Sequence, residues 1–443
     1  MLLACSIAMF GNYYVFDALY PVTDALQSQL GFTHQDVGVL DTAYNVAALV
    51  ALLGGVFLID RLGTIRSAVL FAAIGALGTA GIAYGPELLS ANPAWGMIGG
   101  RFVLGLGSEL FIVAATTVVG RWFSGKTVAT ALAVQLLIGR LGSVVADKSP
   151  GLAKSLFTGW QPPLIAAMGL GLVWLVFAII YALLEARAAR VYGVSQGGTT
   201  DKLVLADILA FNRSYWWVVG LCVAFYATIF PFRTHANDYL IQVHGLTNEA
   251  AGNLKSLVPL ISMFGMPLFG ILVDRIGKRA LLMTVGSFLL ASSFPLIVYW
   301  HTGVAVPEIA TPAFWFVPKF VLISAGTPLG LAITHCMLGL AFALVPAVLW
   351  PAVTYLVPEK RLGSAYALMT FLQQLLWGGM SWGIGAANDL AGASAAHPEG
   401  WRYAMWALSL LSLSAFVFSF LLWRDERGAH SHGLEARAPK QAA

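Results

Sequence analysis

Residues 97–121 read MIGGRFVLGLGSELFIVAATTVVGR. The stretch is long enough to cross a bilayer, which takes about 20 helical residues, yet it carries Arg101 and Glu109 inside that length. A charge at the centre of a spanning helix costs roughly 2.5–3.5 kcal/mol even on insertion-based scales. Such a segment is worth inserting only if the charges face protein or a polar cavity. Outward from it, similar apolar stretches recur at 3–25, 35–58, 67–86, 127–147 and 162–185, then at 214–240, 249–273, 279–300, 331–357, 362–387 and 401–423. Twelve spans in two groups of six result, an all-α polytopic membrane protein of two six-helix bundles.

Composition agrees. Of 443 residues, 58% are apolar and 10% charged, where a soluble domain carries about 25% charged residues, and the mean hydropathy is +0.78. A soluble globular protein is excluded. Cys5, Cys222 and Cys336 lie in apolar runs and read as small hydrophobes, so no metal centre is expected. Neither a basic stripe for nucleic acid nor a His-Glu-x-x-His or Gly-x-Ser-x-Gly motif occurs, so an enzyme is not expected and no cofactor is implied. The first apolar run has no charged region before it and reads as a retained span, not a cleaved leader.

The expected organisation is an N-terminal bundle over 1–185, a cytoplasmic linker over 186–213, a C-terminal bundle over 214–427 and a disordered cytoplasmic tail over 428–443. Residues 301–330, with Pro307, Pro312, Pro318 and Pro328, read as an ordered extracytoplasmic insertion. Lysine and arginine concentrate in alternate loops: Arg61 and Arg66; Arg121 and Lys126; Arg187, Arg190, Lys202 and Arg213; Arg275, Lys278 and Arg279; Lys360 and Arg361. The opposite loops hold Lys148, Lys154, Lys319 and Arg402. By the positive-inside rule both termini are cytoplasmic.

Asp60-Arg61-Leu62-Gly63 recurs as Asp274-Arg275-Ile276-Gly277 after the second span of each half. A repeated half is the sequence mark of a transporter that rocks one bundle against the other. Asp60, Arg61, Arg66, Asp274, Arg275 and Lys278 are therefore gating candidates, able to pair in one conformation and separate in another. Arg101 joins them as either a gate or a brace between helices.

Depth sorts the ionisable residues inside spans. Arg140 lies about 21 Å and Glu109 about 18 Å from the same membrane face at 1.5 Å per residue. Matching depth on consecutive antiparallel helices lets them pair with each other or hold opposite ends of one ligand. An anion and a cation at one depth suit a zwitterion or a peptide, the carboxylate taking an ammonium and the guanidinium a carboxylate. Glu109 could instead carry a proton. Asp17, beside Tyr13 and Tyr14, is a further candidate. Asp41, Arg233 and Lys255 fall near span ends, where snorkelling would lower their cost.

The stretches FGNYYVFD (10–17), GGVFLIDR (54–61), GRFVLGLGSE (100–109), WFSGK (122–126), QLLIGRLGS (135–143), FGILVDRIGK (269–278) and LWPAVTYLVPEKRLGSAYALM (349–369) resemble the major facilitator superfamily, and within it the branch of lysosomal dipeptide transporters. The resemblance implies an alternating-access carrier of dipeptides or short peptides, facilitative, with Glu109 facing the peptide amine and Arg140 its carboxylate. It places Tyr13, Tyr14, Gln135, Trp350 and Gln374 in the pocket wall. The alternative is a proton-coupled carrier of another small organic anion or drug-like solute. The chain departs from the superfamily pattern at Gly55, five residues before Asp60 where Gly270 stands four before Asp274, and it lacks the Glu-x-x-Glu-Arg signature of proton-coupled peptide carriers. Its Ala/Gly-rich composition points to a bacterial inner membrane. The expected partners are a small zwitterionic substrate and membrane lipid; a monomer is expected, an accessory subunit remaining open.

Overall fold

The computed structural model describes residues 1–123, 128–192, 211–312, 319–428 and 431–436. Among them the chain is almost wholly helical. The first span is built from α1 (Leu2–Asp17), a 3-10 turn at Tyr20–Val22 and α2 (Thr23–Leu30). Pro21 lacks an amide proton and breaks the ladder there; Gly31, at φ 71°, ends α2 in the left-handed conformation.

The second and third spans share one long helix, α3 (His34–Leu88). Thr33 and Asp36 start it with a capping box, the Asp36 amide donating to Thr33 Oγ1 at 3.0 Å and the Thr33 amide to Asp36 Oδ2 at 2.9 Å. At Gly63 the backbone turns to φ 74°, ψ 161°, which divides the helix. The equivalent glycine of the second repeat, Gly277, has φ 68°. Both copies of the repeat thus turn on a residue without Cβ, for which positive φ costs little.

The remaining helices are α4 (Pro93–Trp122), α5 (Val128–Leu152), α6 (Gln161–Tyr192), α7 (Arg213–His244), α8 (Asn248–Lys255), α9 (Leu257–Ile276), α10 (Arg279–Tyr299), α11 (Leu329–Leu356), α12 (Leu362–Leu390) and α13 (Arg402–Glu426). α8 and α9 form one span. Eleven of the spans are apolar enough to be recognised by hydropathy; α12 completes the twelve, its apolar run diluted by Gln373, Gln374, Asn388 and Asp389.

Two compact units form. The first comprises residues 1–200, 233–252 and 378–397, so the first six spans are joined by the last part of α7, most of α8 and the last part of α12. Its interior is organised by aromatic residues against glycines: Trp174 of α6 is fully buried, beside Phe111 of α4 at 5.3 Å between ring centres. The second comprises residues 201–232, 253–377 and 398–443. There α11 packs on α9 and α10, and α10 on α13.

Within the expected insertion, β1 (Ile309–Thr311) and β2 (Phe320–Ile323) form an antiparallel hairpin; residues 313–318, including Pro318, lie outside the described residues. Of the expected linker, 186–192 continue α6 and 193–210 lie outside the described residues. The tail read as disordered is structured over 431–436. Leu434 is completely buried, and the amides of Lys278 and Arg279 donate to the carbonyls of Glu435 and Leu434 at 3.4 and 2.9 Å.

Candidate functional site

Within the first unit, the two mid-membrane charges gather around tyrosines. Tyr44 of α3 donates from Oη to Glu109 Oε1 at 2.8 Å, and the same oxygen lies 2.8 Å from Ser108 Oγ, which donates to Asn12 Oδ1 at 2.6 Å. Glu109 therefore presents a half-buried carboxylate with one oxygen fixed. Tyr44 is itself held edge-on by Phe16, 4.7 Å away.

Arg140 of α5 places its guanidinium 5.5 Å over the ring of Tyr13. Gly139, one residue before Arg140, lies against the same ring: a Cβ there would stand in ordinary contact, 3.4 Å from Tyr13. Tyr13 lies within electrostatic reach of Arg140, Glu109 and Asp17, so the first span brings the anion and the cation to one tyrosine. Gln135, one turn before Gly139, is 2% exposed, and its Nε2 has no hydrogen-bond partner among the described residues. A buried amide donor without an acceptor costs about 1–3 kcal/mol, and a ligand oxygen would remove that cost.

Tyr14, the neighbour of Tyr13, points the other way, into an apolar cluster with Ala18, Ala146 and Ala167. Asp17 is taken up by an ion pair: Arg233 Nη2 lies 2.9 Å from Asp17 Oδ1 and 3.1 Å from Asp147 Oδ2.

A second buried polar group is centred on Asp41. It accepts from Tyr20 Oη at 3.2 Å, Thr234 Oγ1 at 3.1 Å and Ser381 Oγ at 2.6 Å, and Arg101 Nη2 stands 3.8 Å away. Arg101, completely buried, donates to Phe16 O at 2.9 Å and sits among the rings of Phe16, Tyr20 and Tyr44. Asp238 accepts from Thr23 Oγ1 and Gln27 Nε2 at 2.6 and 2.9 Å. Asp389 of α12 accepts the amides of His34 and Gln35, at 2.9 and 2.8 Å, and so caps α3. Snorkelling does not describe Asp41, Arg233 or Lys255, all of which are buried; the first two find opposite charge and hydroxyl donors inside the protein instead of water.

In the second unit, Trp350 donates from Nε1 to Tyr226 Oη at 2.9 Å, and Phe230 stacks on Trp377 at 4.0 Å. Gln374 is 3% exposed with Oε1 unpaired among the described residues. Arg61, Arg66, Asp274, Arg275 and Lys278 are exposed and form no ion pair among the described residues; the Asp60 side chain and Lys126 lie outside them. The sequence reading missed Tyr44, Asn12 and Asp147. Tyr44 could have been found as the one aromatic hydroxyl inside the second span; Asp147, the last residue of the fifth apolar stretch, carried no comparable signal.

Twelve spans, a glycine-broken turn repeated in both halves and mid-helix charges held inside the protein define an integral membrane transporter, not an enzyme. The chain belongs to the Major Facilitator Superfamily, whose model matches residues 5–381. The lysosomal dipeptide transporter MFSD1 of Danio rerio is 31% identical over 405 residues, covering 86% of this chain and 79% of the relative. Its Homo sapiens counterpart is 28% identical over 387 residues, covering 85% and 76%. The fold matches the nucleoside transporter NupG with a TM-score of 0.69 at 13% identity, over 96% of this chain and 99% of that one.

Proposed function

We propose that the protein carries dipeptides by alternating access as a uniporter. The observation that carries this reading is Arg140 lying over the Tyr13 ring while Tyr44 fixes one oxygen of the half-buried Glu109 carboxylate. In this reading Glu109 binds the peptide ammonium, Arg140 forks onto the terminal carboxylate and Gln135 donates to a peptide oxygen. Two charge-assisted contacts of about 1.5–3 kcal/mol each reward a ligand with both ends free. The relatives named as dipeptide transporters support the same cargo.

The buried polar layer of the first unit serves as the closed extracytoplasmic gate. Asp41, Arg233, Asp238 and Asp389 bind the outer parts of α7 and α12 to the first spans and must release them before substrate enters from that side. The membrane is a bacterial inner membrane, with both termini in the cytoplasm, and the carrier acts as a monomer.

The test is thermal stabilisation of purified protein by dipeptides, N-acetylated dipeptides, dipeptide amides and free amino acids, followed by counterflow in proteoliposomes. A ligand that binds only the folded state raises its stability. Unblocked dipeptides stabilise the wild type, blocking either end removes the effect, and Glu109→Gln or Arg140→Ala abolishes it. Unchanged dipeptide uptake by Arg140→Ala would overturn the assignment. Uptake that requires an imposed proton gradient would replace uniport by proton coupling.

A further inference from the structure

A half-open cavity lies in the second unit, where α7 begins and α13 ends. It encloses about 390 Å3 and is lined by Asn212, Arg213, Ser214, Arg424, Asp425, Gly428 and His432. Neither the repeat nor the Glu109 and Arg140 site involves these residues.

The charge within it is unbalanced. Asp425 Oδ2 is shared by Arg213 Nε at 3.4 Å and Trp217 Nε1 at 2.8 Å, so one carboxylate answers one guanidinium. Arg424 has no ion pair among the described residues and, with Arg213 and Arg427 also exposed, makes three guanidiniums against the two carboxylates of Asp425 and Glu426. Glu426, just behind the cavity, is saturated: it accepts from Ser214 Oγ, from the His432 and Leu434 amides and from His432 Nδ1. Those bonds fold residues 431–436 back against α13 and make His432 a wall. Asn212 caps α7, a 32-residue helix: its Oδ1 accepts the Tyr215 amide at 2.8 Å and its carbonyl the Trp216 amide at 3.4 Å, so the N-terminal end of the helix lies at the cavity. The helix dipole adds positive potential.

The surroundings belong to a membrane surface. Trp216, in the first turn of α7, is 38% exposed, Trp217 lies 5.1 Å under Arg213 and Trp423 lies 4.9 Å under Arg427. Tryptophan and arginine at the ends of spanning helices mark the headgroup level, on the side to which the basic loops assign the cytoplasm. Basic pockets between spanning helices on that side suit anionic headgroups.

We propose that this cavity binds the phosphate of an anionic phospholipid, with Arg213 and Arg424 on its oxygens at the N-terminal end of α7. A soluble phosphate offers the same oxygens but lacks the acyl chains that would lie along α7 and α13.

Full-length protein is purified in detergent, exchanged into phosphatidylglycerol or phosphatidylcholine of matched chains, and lipid retention is read by native mass spectrometry beside melting temperature. Phosphatidylglycerol is retained and stabilises the wild type while phosphatidylcholine does not. The double variant Arg213→Gln with Arg424→Gln weakens retention roughly tenfold or more, the factor that one charge-assisted hydrogen bond supplies, and Arg424→Lys keeps most of it. Should the double variant not fold, Arg424→Gln alone carries the comparison. Equal retention of the two lipids, unchanged phosphatidylglycerol retention in the variant, or equal stabilisation by millimolar glycerol phosphate would overturn the proposal. Because the readout is lipid retention, the result is independent of whether dipeptides are the cargo.

Discussion

Arg233 sits between Asp17 and Asp147, its Nη2 2.9 Å from one carboxylate and 3.1 Å from the other, with all three side chains buried. The guanidinium on α7 thereby joins the first span to the fifth. Lys148, also buried, lies beside Asp147 in sequence and acts on it electrostatically.

Removing the Arg233 cation alone is worse than removing it with both carboxylates. Arg233→Ala removes the guanidinium that both buried carboxylates contact and lowers stability by about 3–5 kcal/mol, the usual cost of breaking a buried pair from one side. The triple variant Asp17→Asn, Asp147→Asn, Arg233→Gln recovers most of that loss, because both carboxylates are neutralised with the guanidinium. Thermal unfolding of the wild type and the two variants checks this. A triple variant as unstable as Arg233→Ala would show that shape, not charge, holds the cluster.

Tyr44 links the Asp41 group to the candidate site, since Arg101 stands 3.8 Å from Asp41 and 5.3 Å from the Tyr44 ring, and Tyr44 donates to Glu109. Tyr44→Phe keeps the ring against Phe16 and loses only the hydroxyl. A net hydrogen bond is worth about 0.5–1.5 kcal/mol, so dipeptide affinity falls roughly two- to tenfold while the melting temperature without ligand hardly moves. Ligand titration of the melting temperature measures both.

The close approach of α3 and α4 gives a paired test. A Cβ on Gly81 would stand 2.8 Å from Gly100 Cα, and one on Gly100 would collide with the Gly81 backbone, whereas Gly99 faces open space. Gly100→Val is expected to destabilise by about 1–3 kcal/mol or more through overpacking, and Gly99→Val to leave stability within a few tenths. Equal effects would refute the packing described.

Asp389 caps α3 from another helix. Asp389→Ala unsatisfies the His34 and Gln35 amides and costs about 0.5–2 kcal/mol, the range for lost helix caps. If the polar layer is the gate that opens to the outside, the loss falls on the closed form alone. Access of a membrane-impermeant thiol reagent to a cysteine placed at Ser381 then rises in the Asp389→Ala background; unchanged labelling would separate the cap from gating.

Much of this protein follows from composition and periodicity. Lipid demands that each spanning backbone satisfy its own hydrogen bonds, so runs of apolar residues about 20 long can only be helices, and their number and the Asp60 and Asp274 repeat are legible without coordinates. The depths of Glu109 and Arg140 follow from the constant rise per residue. What a one-dimensional reading misses is the face a side chain occupies. Tyr13 and Tyr14 are adjacent, yet one lies under Arg140 and the other in an alanine cluster, because successive helical residues diverge by about 100°.

Partners distant in sequence stay equally hidden. Asp17, Asp147 and Arg233 sit on three separate helices and Asp389 caps a helix that begins 355 positions earlier. Likewise residues 431–436, part of the polar tail read as disordered, gain their order from Glu426 and the α10 amides. The sequence determined the twelve spans, the repeat and the depth of the central charges, since those depend on hydrophobicity and helix geometry alone. Which charges neutralise one another was decided only by tertiary structure, because Coulomb and hydrogen-bond energies act over a few ångströms of space, whatever the separation along the chain.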